Sequence, residues 1–390
     1  MHLLKLILRN TFRHRLRSLL TALGIGVAVL AFGLLRTVVD AWYAGVAASA
    51  QNRLVARNAV SLVFPLPLAY RNQIAVIRGV TGISYGNWFG GVYIDEKNFF
   101  AQFAVDPPTY MDLYPEFRMS DAEREAFYRD RKGCAVGRKL AAKYGWKVGD
   151  TIQIQGTIYP GDWDFVIRAI YRGAEPSTDE TVMFFHWDRL NEAIKRAWGV
   201  QAGNQVGWYV LRITRPDDAG PISDQVDAMF KNTLAETRTE TERAFQMGFV
   251  SMAGTIIVAL RVISGVVLAI ILLVLANTMA MAARERLSEY GVLKTLGFRP
   301  GHLIGIIAGE SLAIAGLGAA LGVALTIPVC NGFAKFVTEN LGSFFPVFRL
   351  SPETVYLSVG ASFAVGLLAA LFPCARAVHI RIVDAIRRVD

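Results

Sequence analysis

Cysteine is scarce in this chain of 390 residues: Cys134, Cys330 and Cys374 are the only three, they lie far apart, and no disulfide framework can be built from them. The five histidines, His2, His14, His186, His302 and His379, are too scattered in sequence to show a metal site. No G-x-x-x-x-G-K-S/T run is present, so the chain does not cradle ATP in the usual way, and H-E-x-x-H and C-x-x-C are missing too. Energy for any work must come from elsewhere. Acidic residues are the minority, 32 against 41 basic ones, giving a formal charge of +9. The cations cluster beside apolar runs and carry no DNA-binding motif, which argues against nucleic acid and fits the cytoplasmic flanks of membrane helices. Asp162, Asp164, Asp179 and Glu180 flank turns and strands, and nothing places two of them on one face for acid and base work, so no catalytic residue is assigned.

What the chain has in abundance is apolar sequence. Hydrophobic residues make up 53%, and the mean hydropathy of +0.35 is too high for an ordinary soluble protein of this size. Four segments, 18–41, 247–283, 301–328 and 354–373, are long enough to cross a bilayer as helices. Before the first, Lys5, Arg9, Arg13 and Arg17 recur at intervals of four beside a stripe of Leu4, Leu8, Phe12 and Leu16, the pattern of a helix over 1–17 lying in the headgroup plane. A second basic amphipathic helix is expected over 374–390, with Arg376, His379, Arg381, Arg387 and Arg388 opposed by Val378, Ile382, Ala385 and Val389. Both ends and the loop over 284–300 are rich in cations, whereas the loop over 329–353 after Pro328 is not. That asymmetry places both termini in the cytoplasm and the long segment over 42–246 outside.

The outer segment holds all seven tryptophans and no run long enough to span. Strand-like runs at 60–64, 99–105, 151–155, 164–171, 181–185 and 208–213 mix with helical ones at 69–78, 121–131, 138–144, 187–198 and 222–242. The fold class expected is therefore an α-helical membrane protein with four transmembrane helices and a large α+β extracytoplasmic domain inserted between the first and second. With no Pro or Gly cluster over 231–246, the helical signal from Ile222 is expected to run on as a stalk into the second span, where Arg261 sits as an interface anchor. In the third span Gly301, Gly305, Gly309, Gly318 and Gly322 are spaced for close helix packing, either within the chain or across a dimer, and Glu310 is expected to pair with a basic residue of a flanking segment.

The stretch over 282–297, AARERLSEYGVLKTLG, is a polar interruption between two spans. Arg284, Glu285, Arg286, Glu289 and Lys294 keep it out of hydrocarbon, while Val292, Leu293 and Leu296 are spaced to form one apolar side of a short helix. Such a helix suits the grip of another protein. The run R-x-R-x-x-E-x-G-V-L-K-T-L-G from Arg284, followed by Glu310-Ser311 in the next span and by a basic helix after Pro373, resembles the permease subunits of the MacB, LolC/LolE and FtsX group of ABC transporters. The helix, Gly149-Asp150 turn and strand over 136–154 is similar to an element of the periplasmic core domain of MacB-like members.

The resemblance implies that Arg286, Glu289, Tyr290, Gly291, Val292, Leu293, Lys294, Thr295, Leu296 and Gly297 form a coupling helix docked into an ATPase subunit, with Tyr290 standing where the family more often has an aliphatic residue. It implies no cofactor in this chain, ATP and Mg being bound by two copies of that separate ATPase. It further implies a second permease copy, as homodimer or related heterodimer, contact with membrane lipid in the cell inner membrane, and in export-type members a periplasmic adaptor and outer-membrane channel. The function implied is mechanotransmission, in which ATPase motion is relayed to a periplasmic domain that moves a lipid, lipoprotein, peptide or drug. The alternative is an FtsX-like signalling protein that controls an extracytoplasmic partner.

Overall fold

The computed structural model describes residues 7, 9, 11, 13–175, 178–341 and 348–379. Residues 1–6, 8, 10 and 12 of the amphipathic helix expected over 1–17, and 380–390 of the one expected over 374–390, lie outside the described residues. The elements run α1 (Arg15–Ala48), β1 (Arg53–Asn58), β2 (Leu66–Pro67), α2 (Tyr70–Ala75), β3 (Val80–Trp88), β4 (Gln102–Val105), α3 (Pro107–Leu113), β5 (Phe117–Arg118), α4 (Asp121–Arg129), β6 (Gly133–Gly137), α5 (Arg138–Tyr144) and β7 (Thr151–Gly156). They continue with β8 (Gly161–Gly173), β9 (Met183–His186), α6 (Trp187–Trp198), β10 (Gln205–Val206), β11 (Trp208–Ile213), α7 (Ala219–Met229), β12 (Thr237–Thr241), α8 (Glu242–Met252), α9 (Gly254–Glu285), α10 (Leu287–Thr295), α11 (Pro300–Leu341) and α12 (Pro352–His379).

Contacts divide the chain into two compact units, one of 1–40, 254–334 and 349–390, the other of 41–253 and 335–348. The first unit is built from helices. Among the described residues, Arg15–Tyr43, Gly254–Glu285, Pro300–Ala334 and Pro352–His379 are long and apolar enough to cross a membrane. Its buried core joins Ile25 and Val29 of α1, Ile271, Leu275 and Met279 of α9, Ile307 and Ile314 of α11, and Val365 and Ala369 of α12.

The second unit is a mixed sheet of ten strands in the order β12-β1-β11-β3-β4-β9-β6-β8-β5, with β7 paired to β8. Pairing is antiparallel except for β4 with β9 and β6 with β8. Successive side chains along a strand point to opposite faces, so Phe185 and Leu211 join one buried cluster while their neighbours Phe184 and Val210 join the other. Both faces of the sheet are thus covered: α2, α5, α6 and α7 contribute Ile74, Leu140, Leu190 and Ile222 to the first cluster, and α3 and α4 contribute Tyr110 and Phe127 to the second. Local signals set the helix ends. Ser120 and Glu123 form a reciprocal capping box at the start of α4, and Gly145 closes α5 at φ +70°.

Three sequence expectations are corrected. The helix expected over 222–242 is interrupted, so no continuous helix runs from Ile222 into the second span: α7 ends at Met229, Asn232 turns the chain at φ +61°, Thr237, Thr239 and Thr241 lie in β12, paired to β1, and a separate helix, α8, begins at Glu242. β-branched residues at alternate positions pack on a pleated sheet, and Asp227 anchors this strand through Thr237 and Thr239. Pro328 does not close the third span, because α11 carries it inside the helix and runs to Leu341, so residues 329–341 of the outer loop expected over 329–353 are helical. Proline is tolerated in apolar helices where neighbouring groups satisfy the freed carbonyl. The strand expected over 60–64 is a turn following β1, and Val60, Val63 and Phe64 are exposed.

Candidate functional site

In the helical unit α10 follows α9 after a break at Arg286, whose backbone leaves the helical region with φ −108° and ψ 13°. Its far end is a glycine stop: Gly297 sits at φ +88°, its amide donates to the Lys294 carbonyl at 3.1 Å, and the Phe298 amide donates to the Leu293 carbonyl at 3.0 Å. Leu287, Tyr290 and Gly291 face inward and are buried, and Leu293 packs against the same core in part. Val292 and Leu296 point the other way, 51% and 70% exposed, with Phe298 beside them also exposed. The single apolar side expected from Val292, Leu293 and Leu296 is therefore split in two, because Tyr290 and Gly291 claim the inward face. Thr295 and Gly297 lie exposed at the end of the helix.

Charge fastens α10 from several sides. Arg286 Nη1 donates to Glu310 Oε2 at 2.7 Å, and both side chains are all but excluded from solvent, at 5% and 6% exposure. Removing one partner of such a pair strands a buried charge, whereas an intact pair adds little net stability over apolar residues of similar volume. Tyr290 lies against this pair. Its phenol is pushed up to about 12, first by burial and then by the negative charge of Glu310. Arg17 makes a fork to Glu285 with both bonds at 2.7 Å, Arg13 reaches Glu289 at 2.5 Å, and Lys294 Nζ donates to the Val378 carbonyl at 2.9 Å. Arg13 and Arg17 stand four apart, as do Glu285 and Glu289, and the two pairs meet in opposite chain order. Matching the two four-residue spacings is the signal by which sequence could have found this contact, and it was missed.

The glycines of α11 divide by position. A Cβ at Gly318 would lie 2.5 Å from Cβ of Ile25, and one at Gly322 would lie 2.5 Å from Cβ of Val29, so these two admit the close approach of α1. A Cβ at Gly309 would meet Ile7 at 2.6 Å, but at Gly301 and Gly305 it would meet nothing within 4 Å. Within this chain, then, Gly301 and Gly305 meet no partner helix among the described residues.

The run Gly82-Ile83-Ser84-Tyr85-Gly86 has the G-x-S-x-G spacing of a hydrolase nucleophile. It lies within β3, not on a strand-to-helix turn, and the fully buried Ser84 accepts a hydrogen bond from Thr109 at 2.8 Å. It therefore presents no nucleophile. Asp179 and Glu180, which flank turns in the sequence, are drawn inward: Glu180 is buried and accepts from the Gly173 amide at 2.9 Å and from Arg138 at 3.2 Å. No group of three or more His, Cys, Asp or Glu side chains converges as a metal site among the described residues.

The profile of the MacB-like periplasmic core domain matches residues 18–229, and that of the FtsX-like permease C-terminal domain matches residues 261–382. An uncharacterized ABC transporter permease of Methanocaldococcus jannaschii is 23% identical over 97% of this chain and 96% of its own length. The macrolide export ATP-binding/permease protein MacB of Chromobacterium violaceum is 32% identical over 29% of this chain, which spans 16% of that larger protein. The crystal structure of the periplasmic region of MacB from Actinobacillus actinomycetemcomitans aligns with 51% of this chain and 92% of its own, at 6% identity and a TM-score of 0.35. With one profile matching over half of its length and the other most of the remaining helices, the chain belongs to the ABC transporter permeases that join a MacB-like periplasmic core domain to an FtsX-like permease domain.

Proposed function

We propose that this chain is the non-catalytic membrane subunit of an ATP-driven exporter, a lever moved from the cytoplasm through α10 by a separate ATPase. The observation that carries this reading is the two-faced character of α10. Its inner face is fixed by Tyr290 and the Arg286–Glu310 pair, while Val292, Leu296 and Phe298 are left exposed on the other side. Apolar side chains on the outer face of a short helix between two spans fit a groove in a partner protein. ATP and Mg are then bound by two copies of the ATPase, and a second permease copy completes the assembly. In this reading the chain lies in the cell inner membrane with both termini in the cytoplasm, and the sheet unit works in the periplasm on a hydrophobic or amphipathic cargo. A periplasmic adaptor joined to an outer-membrane channel is the route onward.

The experiment is co-expression of the tagged chain with a candidate ATPase, comparing Val292→Asp and Leu296→Asp with the unaltered protein. Both variants should reach the membrane in normal amount, fail to retain the ATPase, and lose stimulated ATP hydrolysis. Gly291 and Leu293 are poor test positions, since a charge there disturbs the chain's own packing. Full retention of the ATPase by both variants, or ATP hydrolysis by the chain alone, would overturn the reading.

A further inference from the structure

Buried deep in the sheet unit is a cation that no feature of the coupling helix calls for. Arg53 opens β1, shortly after α1 ends at Ala48, and only 4% of it is exposed. Its guanidinium uses every edge. Nε donates to Glu242 Oε2 at 2.8 Å, Nη1 donates to the Leu113 carbonyl at 2.9 Å and to Glu116 Oε2 at 3.0 Å, and Nη2 donates to Glu116 Oε1 at 2.5 Å. The flat face of the group lies 4.1 Å from the centre of the Tyr114 ring. Glu242 is itself buried, and the same Oε2 accepts a bond from the Ala50 amide at 3.0 Å.

The positions of these partners in the chain give the cluster its meaning. Ala50 and Arg53 belong to the segment that leaves the first span, and Glu242 is the first residue of α8, which leads to the second span at Gly254. The strands nearest those segments are hydrogen-bonded neighbours, with Leu54 opposite Thr241 and Val55 opposite Glu240. Glu116, in contrast, belongs to the connection between α3 and β5. One arm of Arg53 therefore joins the two membrane leads to each other, and the other joins them to the body of the sheet. A planar fork held on both sides in a dry site has little rotational freedom, which a lysine could not reproduce.

We propose that Arg53 is a positioning residue that locks the leads of the first and second spans into one rigid input to the sheet, with Glu242 as the bond between the leads and Glu116 as the bond to the sheet. This deepens the transport reading and rests on it for its purpose, though the lock itself can be tested without an ATPase. The full chain in lipid nanodiscs is spin-labelled at Gln51→Cys and Arg243→Cys, both exposed positions, while the native cysteines Cys134, Cys330 and Cys374 are buried. The distance between labels is then compared in Glu242→Gln, Glu116→Gln and Arg53→Lys backgrounds.

A single distance is expected for the parent and for Glu116→Gln, and a second, longer component for Glu242→Gln, even where both variants melt at the same lowered temperature. Arg53→Lys, which keeps one charged contact, should show a smaller share of the longer component, and it decides the matter should Glu242→Gln fail to accumulate. An unchanged single distance in Glu242→Gln, or in Arg53→Lys in its place, would overturn the proposal, as would equal changes in Glu242→Gln and Glu116→Gln. With the ATPase bound, the ATP-dependent change in emission of the seven tryptophans should survive in Glu116→Gln and vanish in Glu242→Gln. Its survival in Glu242→Gln counts against the lock, whereas its absence from the parent complex counts against the transport reading alone.

Discussion

Replacing Arg286 with methionine leaves Glu310 without its partner at a position where only 6% of the side chain meets solvent. Stranding one member of a buried pair costs about 3–5 kcal/mol, which at about 1.4 kcal/mol per tenfold corresponds to two to three and a half decades in a local opening equilibrium. The opening should be centred on α10, because Arg286 is the residue at which that helix starts and Tyr290 rests on the same pair. Tryptophan emission is blind to it, since all seven tryptophans lie within 42–208. Amide hydrogen exchange of peptides covering 284–299 is the suitable assay. Protection there should fall by that factor in Arg286→Met while peptides of the sheet unit keep theirs. The double variant Arg286→Met/Glu310→Met should recover most of the loss, because two apolar side chains strand no charge. Unchanged protection in the single variant, or a double variant as open as the single one, would refute the assignment of the pair as the fastening of α10.

Further expectations concern packing, acid and thiol chemistry. Gly318→Leu should weaken the helical unit by about 1–3 kcal/mol through forced repacking against Ile25, while Gly301→Ala should leave it unchanged or up to about 1 kcal/mol more stable; denaturation in detergent followed by circular dichroism separates the two. His186 has its pKa lowered, first by burial, although its ring nitrogen donates to the Phe127 carbonyl at 2.7 Å. Above the ordinary histidine value, about 6.5, both states are neutral there; as pH falls below it the unfolded chain takes the proton first, so stability is lost progressively until the lowered native value is passed. His186→Gln should flatten that part of the pH dependence of the sheet unit's melting, and an unaltered profile would exclude His186 as its source. Burial pushes the Cys134 thiol far above its usual range, so a thiol reagent at neutral pH should spare it in the native chain and react only on unfolding, as peptide mass mapping would show.

The spans were legible because membrane insertion demands long uninterrupted apolar runs, a signal carried by consecutive residues. Several sheet-unit elements were equally plain: Trp208–Ile213, Arg138–Tyr144 and Trp187–Trp198 follow their own periodicity. The segment over 222–242 was legible only as far as Met229, because residues 237–241 are claimed by pairing with β1, a partner far away in sequence. Pro328 misled for a related reason, since a residue that ends helices in water need not do so inside an apolar bundle.

Sequence by itself determined that this chain is apolar enough to live in a membrane, carries no nucleotide-binding loop, and places a short amphipathic segment between two spans. Those properties are additive over neighbouring residues. Only the tertiary structure decided that Arg286 meets Glu310, that Val292 and Leu296 are left outward while Tyr290 turns in, and that Arg53 gathers Glu116 and Glu242. A charge attracts any opposite charge in the chain alike, and which one it meets is settled by the packing of apolar surfaces that carry no charge at all.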